Sequence, residues 1–529
     1  MKGDASRIGH PAGFERIVIL DFGSQTTHLI GRRIRERGVF AEIVPGNAPV
    51  EEWLDEHVRG VILSGSPCSV HDADAPRPDA KIYDLGIPIL GICYGLQVTT
   101  HLFGGIVSRS ETREYGPAAV ELLSSTPLTQ GLGARFISWM SHGDAIRTLP
   151  AGAREAATSA HGVTAVVSIP ERSFYGLQFH PEVTHTEQGG LILDNFATGI
   201  CRAERRWSVE NYLEQLRSDV RDRVRDGKVL LLISGGVDSS VVAALLLKTL
   251  DPDKVHLMYI DTGLMRKGES TEIGTALRRL GARNLYLVDA EERFLAALNG
   301  ITDPEEKRHI IGDLFMTVQE EEVSARIDTE YLLAQGTLYT DLIESGHGVG
   351  NNAHRIKSHH NVASPLVEKK RNAGLVLEPL AALYKDEVRD LGTLLGLPRE
   401  IVGRHPFPGP GLGVRILGAV TRERCDVLRE ADALYIQALR DAGLYDEIWQ
   451  AFAVLLPIQS VGVAGDTRAY GDVVALRAVT SRDGMTADVY DFQPEFLRNL
   501  AARITNQIPR VGRVVYDCSG KPPATIEWE

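Results

Sequence analysis

Short apolar runs alternate along this chain with stretches whose apolar positions fall three and four residues apart. The first run, RIVILDFG (16–23), is followed by Leu29, Ile30 and Ile34 at helical spacing, and VRGVILSG (58–65) and PILGIC (88–93) repeat its strand character. The pattern resumes at Lys228, with a strand at 228–233, a helix at 239–250, a strand in VHLMYID (255–261), a helix after Glu269 and a strand in NLYLVD (284–289). Strands alternating with helices predict parallel, doubly wound sheets. Between the two blocks, residues 202–226 are charged with few apolar positions and predict a connecting helix. The Pro- and Gly-dense run HPFPGPGLGVR (405–415) marks a second boundary. Beyond it, DVVALRAVTS, PEFLRNLAARITNQI and VGRVVYD predict strand, helix and strand of a smaller α+β unit. The expected fold is therefore α/β, with two doubly wound parallel-sheet domains at 14–203 and 204–405 and an α+β domain at 406–529.

Composition changes this picture little. With 43% apolar and 24% charged residues the chain is that of a globular protein, and 529 residues are too many for one core. A net charge of −13 argues against a broad basic surface for nucleic acid. Five scattered cysteines without a CxxC pair suit a reduced, cytoplasmic setting and no zinc site, and no apolar stretch is long enough to span a membrane.

Two turns carry candidate chemistry. In PILGICYGLQ (88–97), Cys93 stands where a strand ends and a helix begins, flanked by Gly91 and Gly95. This G-x-C-x-G is the cysteine form of a nucleophile elbow, in which glycines permit the tight turn and leave the sulfur open. The helix N-terminus behind it favours the thiolate. A buried, merely packed cysteine is the plainer reading of the residue alone. YGLQFHPEVTH (175–185) places His180 and Glu182 two apart, an imidazole base with a carboxylate to orient it. ILSGSPCSV (62–70) offers backbone N–H groups which, with that of Tyr94, form a candidate oxyanion hole; Cys68 reads as a bystander.

The second turn lies in LLLISGGVDSSVVAALL (230–246), a strand, a glycine turn and a helix N-terminus suited to an anion. It lacks the lysine of a γ-phosphoryl-transfer loop, and a plain Ser/Gly N-cap is the alternative. Asp238 inside a phosphate loop calls for a Mg²⁺ bridge, because a carboxylate cannot itself attract phosphate. Asp261 ends the next strand, at the sheet edge where ligands sit, or caps its own turn; Lys385 in LYKDEVRDLG faces phosphate or forms a surface ion pair.

GxCxGxQ with the distant FHPE resembles class I glutamine amidotransferases, a flavodoxin-like fold. The resemblance implies a triad of Cys93, His180 and Glu182 with Gly65 and Tyr94 as oxyanion donors, acting on glutamine. SGGVDSS resembles the loop of N-type ATP pyrophosphatases, an adenine-nucleotide hydrolase-like fold. It implies that Ser234, Gly235, Gly236, Val237, Asp238, Ser239 and Ser240, with Asp261 and Lys385, bind ATP, and that Asp238 meets Mg²⁺. QGTLYTDLIES (335–345), IKSHHNV (356–362), HPFPGPGLGVR and GKPPATIEWE (520–529) together resemble the glutamine-hydrolysing GMP synthase family, from Arg16 to Glu529. That resemblance implies XMP, ATP and glutamine as substrates, XMP contacts at Arg308, Lys357, Lys521 and Glu527, and a homodimer through 406–529. A solvated tail, a helix-surface arginine and a monomer are the plainer alternatives.

The sequence departs from the family pattern at Ser66 in SGSP, Thr340, and Ala363-Ser364. If position 66 needs a positive φ, serine adopts it at a cost. Other enzymes with this loop, and a nucleotide-sensing protein without catalysis, are the rival classes. The residues needed in both candidate sites argue against the latter.

Overall fold

The structure, a computed structural model, describes residues 11–327, 330–344, 365–464, 467–481 and 486–529. The strands β1 (Arg16–Asp21), β2 (Phe40–Pro45), β3 (Val58–Leu63), β4 (Ile89–Ile92) and β9 (Phe174–Leu177) form a parallel array in the order β2-β1-β3-β4-β9. β1 and β4 are buried along nearly their whole length because both sheet faces are covered, so their apolar runs do not alternate. This is the doubly wound arrangement expected. Onto β9 the chain adds an antiparallel extension of β8 (Thr164–Ile169), β7 (Arg154–Ser159), β5 (Ile106–Leu122) and β6 (Arg135–Thr148). The sequence pattern did not announce it. β6 alternates inward and outward, but its buried positions include Ser138 and His142 beside Phe136 and Met140, which blurs the apolar period.

The second sheet is wholly parallel, in the order β12 (Asn284–Asp289), β11 (Val255–Asp261), β10 (Lys228–Ile233), β13 (Tyr331–Ala334), β14 (Val376–Leu377). The helix Val209–Val224 is no mere connector. It buries Tyr212, Leu213, Leu216, Val220 and Val224 in the core of this sheet, at a spacing its many charges obscured. The third sheet pairs β15 (Gln450–Ala464) with β16 (Thr467–Thr480), which also takes β17 (Asp488–Val489) and, in parallel, β18 (Val511–Tyr516). The helices Arg422–Asp441 and Pro494–Gln507 cover it, and its core is continuous with one face of the second sheet through Leu230, Met258, Leu428, Tyr435 and Leu476. No described helix is long and apolar enough to cross a membrane.

The first two units meet at α1 (Thr27–Arg35). Arg35 is buried among the rings of Phe40, Trp207, Tyr339 and Tyr384, its Cζ between 4.4 and 5.1 Å from their centroids. A buried guanidinium must be fully partnered. Here it donates to the carbonyls of Ala41 (2.8 Å) and Ala382 (2.6 Å) and to Glu387 (3.0 Å) on the helix Lys385–Leu394. Burial works against its charge, yet Glu387 beside it holds its pKa above the usual value.

Candidate active sites

Cys93 follows β4 directly and is the residue before α2 (Tyr94–Leu102). Its φ of 51° and ψ of −101° are strained for a side-chain-bearing residue. The neighbouring glycines are needed for backbone approach rather than for access to the sulfur, which corrects the expectation. A Cβ on Gly95 would lie 2.3 Å from the Leu63 carbonyl oxygen, and one on Gly91 2.6 Å from the Leu96 nitrogen. The elbow thus wedges α2 against two strands, and the strain falls on Cys93. Its Sγ lies 3.7 Å from the Ser141 carbonyl and 3.7 Å from Gln178 Nε2. Gln97, the last residue of GxCxGxQ, donates to Gln178 Oε1 (3.3 Å) and to the Asp144 carbonyl (3.0 Å), fixing the amide that faces the thiol.

His180 and Glu182 come together as the sequence implied, with His180 Nδ1 2.7 Å from Glu182 Oε1. Burial opposes the charged imidazole, but the Glu182 carboxylate, with Cys93 nearby, raises its pKa well above the ordinary histidine value. Thr26, just before α1, donates to the same Glu182 oxygen at 2.7 Å, and Arg33 Nε donates to the Glu182 carbonyl at 3.2 Å. Gly65 is close enough that a Cβ on it would sit 3.2 Å from His180 Cε1. Among the described residues, neither the Gly65 nor the Tyr94 N–H donates to a protein acceptor. Ser66 is not among the residues with positive φ, so serine costs nothing there. Its hydroxyl accepts from the Cys68 N–H at 3.2 Å.

In the second turn Gly235 takes the positive φ, 80°. Gly236 is the N-cap of the helix Val237–Thr249 and no side chain caps it. A serine N-cap is therefore not what the loop builds. Instead Ser239 and Ser240 turn their hydroxyls to the Gly236 carbonyl (3.2 and 2.9 Å), and Ser234 Oγ lies 3.1 Å from Ser239 Oγ. Lys385 Nζ meets both oxygens of Asp238, at 2.6 and 2.5 Å, joining two residues 147 apart. Asp261 serves its own turn, accepting from the Gly263 N–H (2.9 Å) and the Ser270 hydroxyl (2.5 Å). Arg404 approaches the Gly235 carbonyl (3.3 Å) and pairs with Glu269 (3.2 Å) and Glu272 (2.6 Å).

The segment 517–529 is held to the protein at several points, with Ile526 buried, while Pro522, Pro523, Thr525 and Trp528 stay exposed. Glu527 accepts from Arg415 Nε (3.0 Å), Arg415 Nη2 (2.7 Å) and Gln450 (2.7 Å). Arg308 donates to the Glu529 carbonyl at 2.5 Å, so Arg308 and the Glu527 stretch share one neighbourhood. Lys521 pairs through its backbone with Ala487. Lys357 lies outside the described residues.

Three family models match successive parts of the chain: glutamine amidotransferase class-I over residues 18–200, NAD synthase over 208–409 and GMP synthase C terminal domain over 437–528. Curated relatives match nearly end to end. A GMP synthase (glutamine-hydrolyzing) of Zymomonas mobilis is 49% identical over 97% of this chain and 98% of its own, one of Symbiobacterium thermophilum 49% over 97% and 99%, and one of Aquifex aeolicus 50% over 97% and 99%. The chain belongs to the glutamine-hydrolysing GMP synthase family.

For this member of the GMP synthase family, sequence reading missed several residues at the sites. Thr26 stands 156 residues from the carboxylate it touches, and nothing local marks it. Gln178 sits inside YGLQFHPE, one residue from an apolar strand, and reads as ordinary strand edge. Lys307 had a signal. On the helix Pro304–Arg326 it occupies the same stripe as Ile311 and Val318, all three buried, and a lysine at such a position demands a buried partner. Thr340, one of the departures from the family pattern, lies in the first turn of the helix Tyr339–Glu344; Ala363 and Ser364 lie outside the described residues.

Proposed function

We propose that this chain makes GMP from XMP, ATP and glutamine in the cytoplasm. The observation that carries the reading is a strained, buried cysteine with an oriented His–Glu pair on the same chain as an uncapped, glycine-turned anion loop. In the first site His180 takes the Cys93 proton and the thiolate attacks the side-chain amide carbon of glutamine. The oxyanion that forms is met by the Gly65 and Tyr94 N–H groups. The imidazolium returns the proton to departing ammonia, and water then hydrolyses the γ-glutamyl thioester.

In the second site the N–H groups of 234–240 and the hydroxyls of Ser234, Ser239 and Ser240 hold the β- and γ-phosphates of ATP. The 2-oxygen of XMP attacks the α-phosphorus, pyrophosphate leaves, and ammonia displaces AMP from the adenylylated base. Asp238 is part-exposed at the first helical turn, and no described cluster of three metal-ligating side chains accompanies it. One carboxylate suits Mg²⁺, which draws most of its ligands from phosphates and water and would neutralise the leaving pyrophosphate. Lys385, now on Asp238, is within reach of the same phosphates, and Asp261 stands at the neighbouring strand end. Arg308, Lys357, Lys521 and Glu527 are the proposed XMP contacts.

The domains are proposed as 14–203 for glutamine hydrolysis, 204–405 for ATP and 406–529 for XMP and dimerisation. The hairpin of β15 and β16 supports a homodimer, because it exposes Ile458, Val461, Val463 (80% exposed) and Tyr470 on a small unit that gains from burying them. The test of the reaction is product analysis with XMP, ATP-Mg²⁺ and glutamine. GMP with AMP and pyrophosphate is expected. ADP and phosphate would refute the assignment of the loop.

A further inference from the structure

Lys307 is fully buried, and its ammonium donates to the Ile416 carbonyl at 2.8 Å and to Glu529 Oε2 at 2.6 Å. The Glu529 side chain is itself only 9% exposed. A buried ammonium needs a carboxylate, and the two residues stand 222 apart in sequence. Arg308, the next residue on the helix, grips the Glu529 carbonyl and also pairs with Glu305 at 3.3 Å. Two adjacent cations of the second unit therefore hold one residue of the segment that follows the third sheet. The same segment is held to its own unit by Arg477, also fully buried. Arg477 donates to the carbonyls of Ser519, Thr525 (3.1 Å) and Ile526 (3.4 Å) and pairs with Asp517 at 3.3 Å. Between these anchors lie Lys521 and Glu527.

We propose that Lys307 is a positioning residue for nucleotide binding: by holding Glu529 it ties the segment bearing Lys521 and Glu527 to the helix bearing Arg308. This rests on the reading of those three residues as XMP contacts. The Arg477 anchors fix the shape of the segment. The Lys307–Glu529 pair fixes its place relative to the phosphate loop. Loss of the pair would leave each contact present and misplace the set, which weakens XMP binding and leaves the ATP loop and the cysteine site as they were.

The test compares wild type, Glu529→Gln, Lys307→Met, the double variant and a chain ending at Gly520, using ammonium salt as nitrogen source. Glu529→Gln is nearly isosteric and is the primary variant, since Lys307→Met changes a core position. It is expected to raise the KM for XMP about tenfold, with kcat within about threefold. The KM for ATP and the glutaminase rate should not move. The double variant, which leaves no buried charge unpaired, should recover part of the loss. A general loss of fold would instead shift both KM values and the glutaminase rate together, and would overturn the positioning role. An unchanged XMP KM in Glu529→Gln, with XMP binding lost in the chain ending at Gly520, overturns the proposal alone. No XMP binding by the wild type overturns the functional reading and the proposal with it.

Discussion

The turn after β4 and the turn after β10 share one topology, a buried parallel strand leading through a glycine-bearing turn into a helix, and they differ in where strain and charge are kept. At the first turn the strain sits on Cys93 itself, and the surrounding groups are already paired for chemistry: His180 on Glu182, Glu182 on Thr26, Gln178 facing the sulfur. At the second turn Gly235 takes the positive φ at little cost, and the charged residues neutralise each other as Asp238 and Lys385. A nucleophile must be held ready before substrate arrives. A phosphate cradle needs only open N–H groups and charges that rearrange when the anion brings its own. On the proposed reading, the first site is preorganised and the second is completed by its ligand.

Substitutions sharpen this contrast. Among the groups around the cysteine, the largest effect is expected from His180→Ala, which should lower glutaminase activity by about 10²–10⁴-fold and leave ammonia-driven synthesis intact. Rates with the two nitrogen sources, measured side by side, check it. Asp238→Asn should lower synthesis from either nitrogen source by about 10²-fold or more while basal glutaminase survives. If synthesis persisted in that variant, the carboxylate would have no part in handling pyrophosphate. Glu182→Gln should cost less than His180→Ala. Thr26→Val, which removes one hydrogen bond to a buried carboxylate, should cost about tenfold in glutaminase kcat.

The smallest effect concerns pH and His405, the residue after Arg404. His405 accepts from the Ala451 N–H and donates to the Tyr445 carbonyl, stacked 4.0 Å from the Tyr445 ring. Burial, aided by the charges of Arg266 and Arg389, lowers its pKa to about 4. The unfolded chain therefore binds a proton that the native state refuses. The contribution of His405 is complete above the unfolded value of about 6.5 and is lost as pH falls from there to about 4. Melting temperatures of wild type and His405→Asn over that window should converge towards low pH. Parallel curves would mean that His405 is not the group involved.

Both turns were legible in the sequence because their chemistry is local: a cysteine between two glycines, a Ser/Gly run entering a helix, a histidine two residues from a glutamate. The doubly wound sheets were legible through buried runs such as Ile17–Leu20. What escaped is what the fold brings from afar. Thr26 reaches Glu182, Arg35 docks in an aromatic box built from both units, and Lys307 finds Glu529. Each is a polar residue whose partner no spacing rule connects to it. The antiparallel β5–β8 extension escaped for a related reason, because inward-facing polar residues such as Ser138 and His142 erase the alternation that would signal it.

The division of labour between the two turns is tested most directly by Cys93→Ala. With glutamine, XMP and ATP-Mg²⁺ the variant should form no GMP. With ammonium salt in place of glutamine it should form GMP at close to the wild-type ammonia-dependent rate, releasing AMP. A folded Cys93→Ala chain that stays inactive with ammonium, or one that still uses glutamine, would contradict the account.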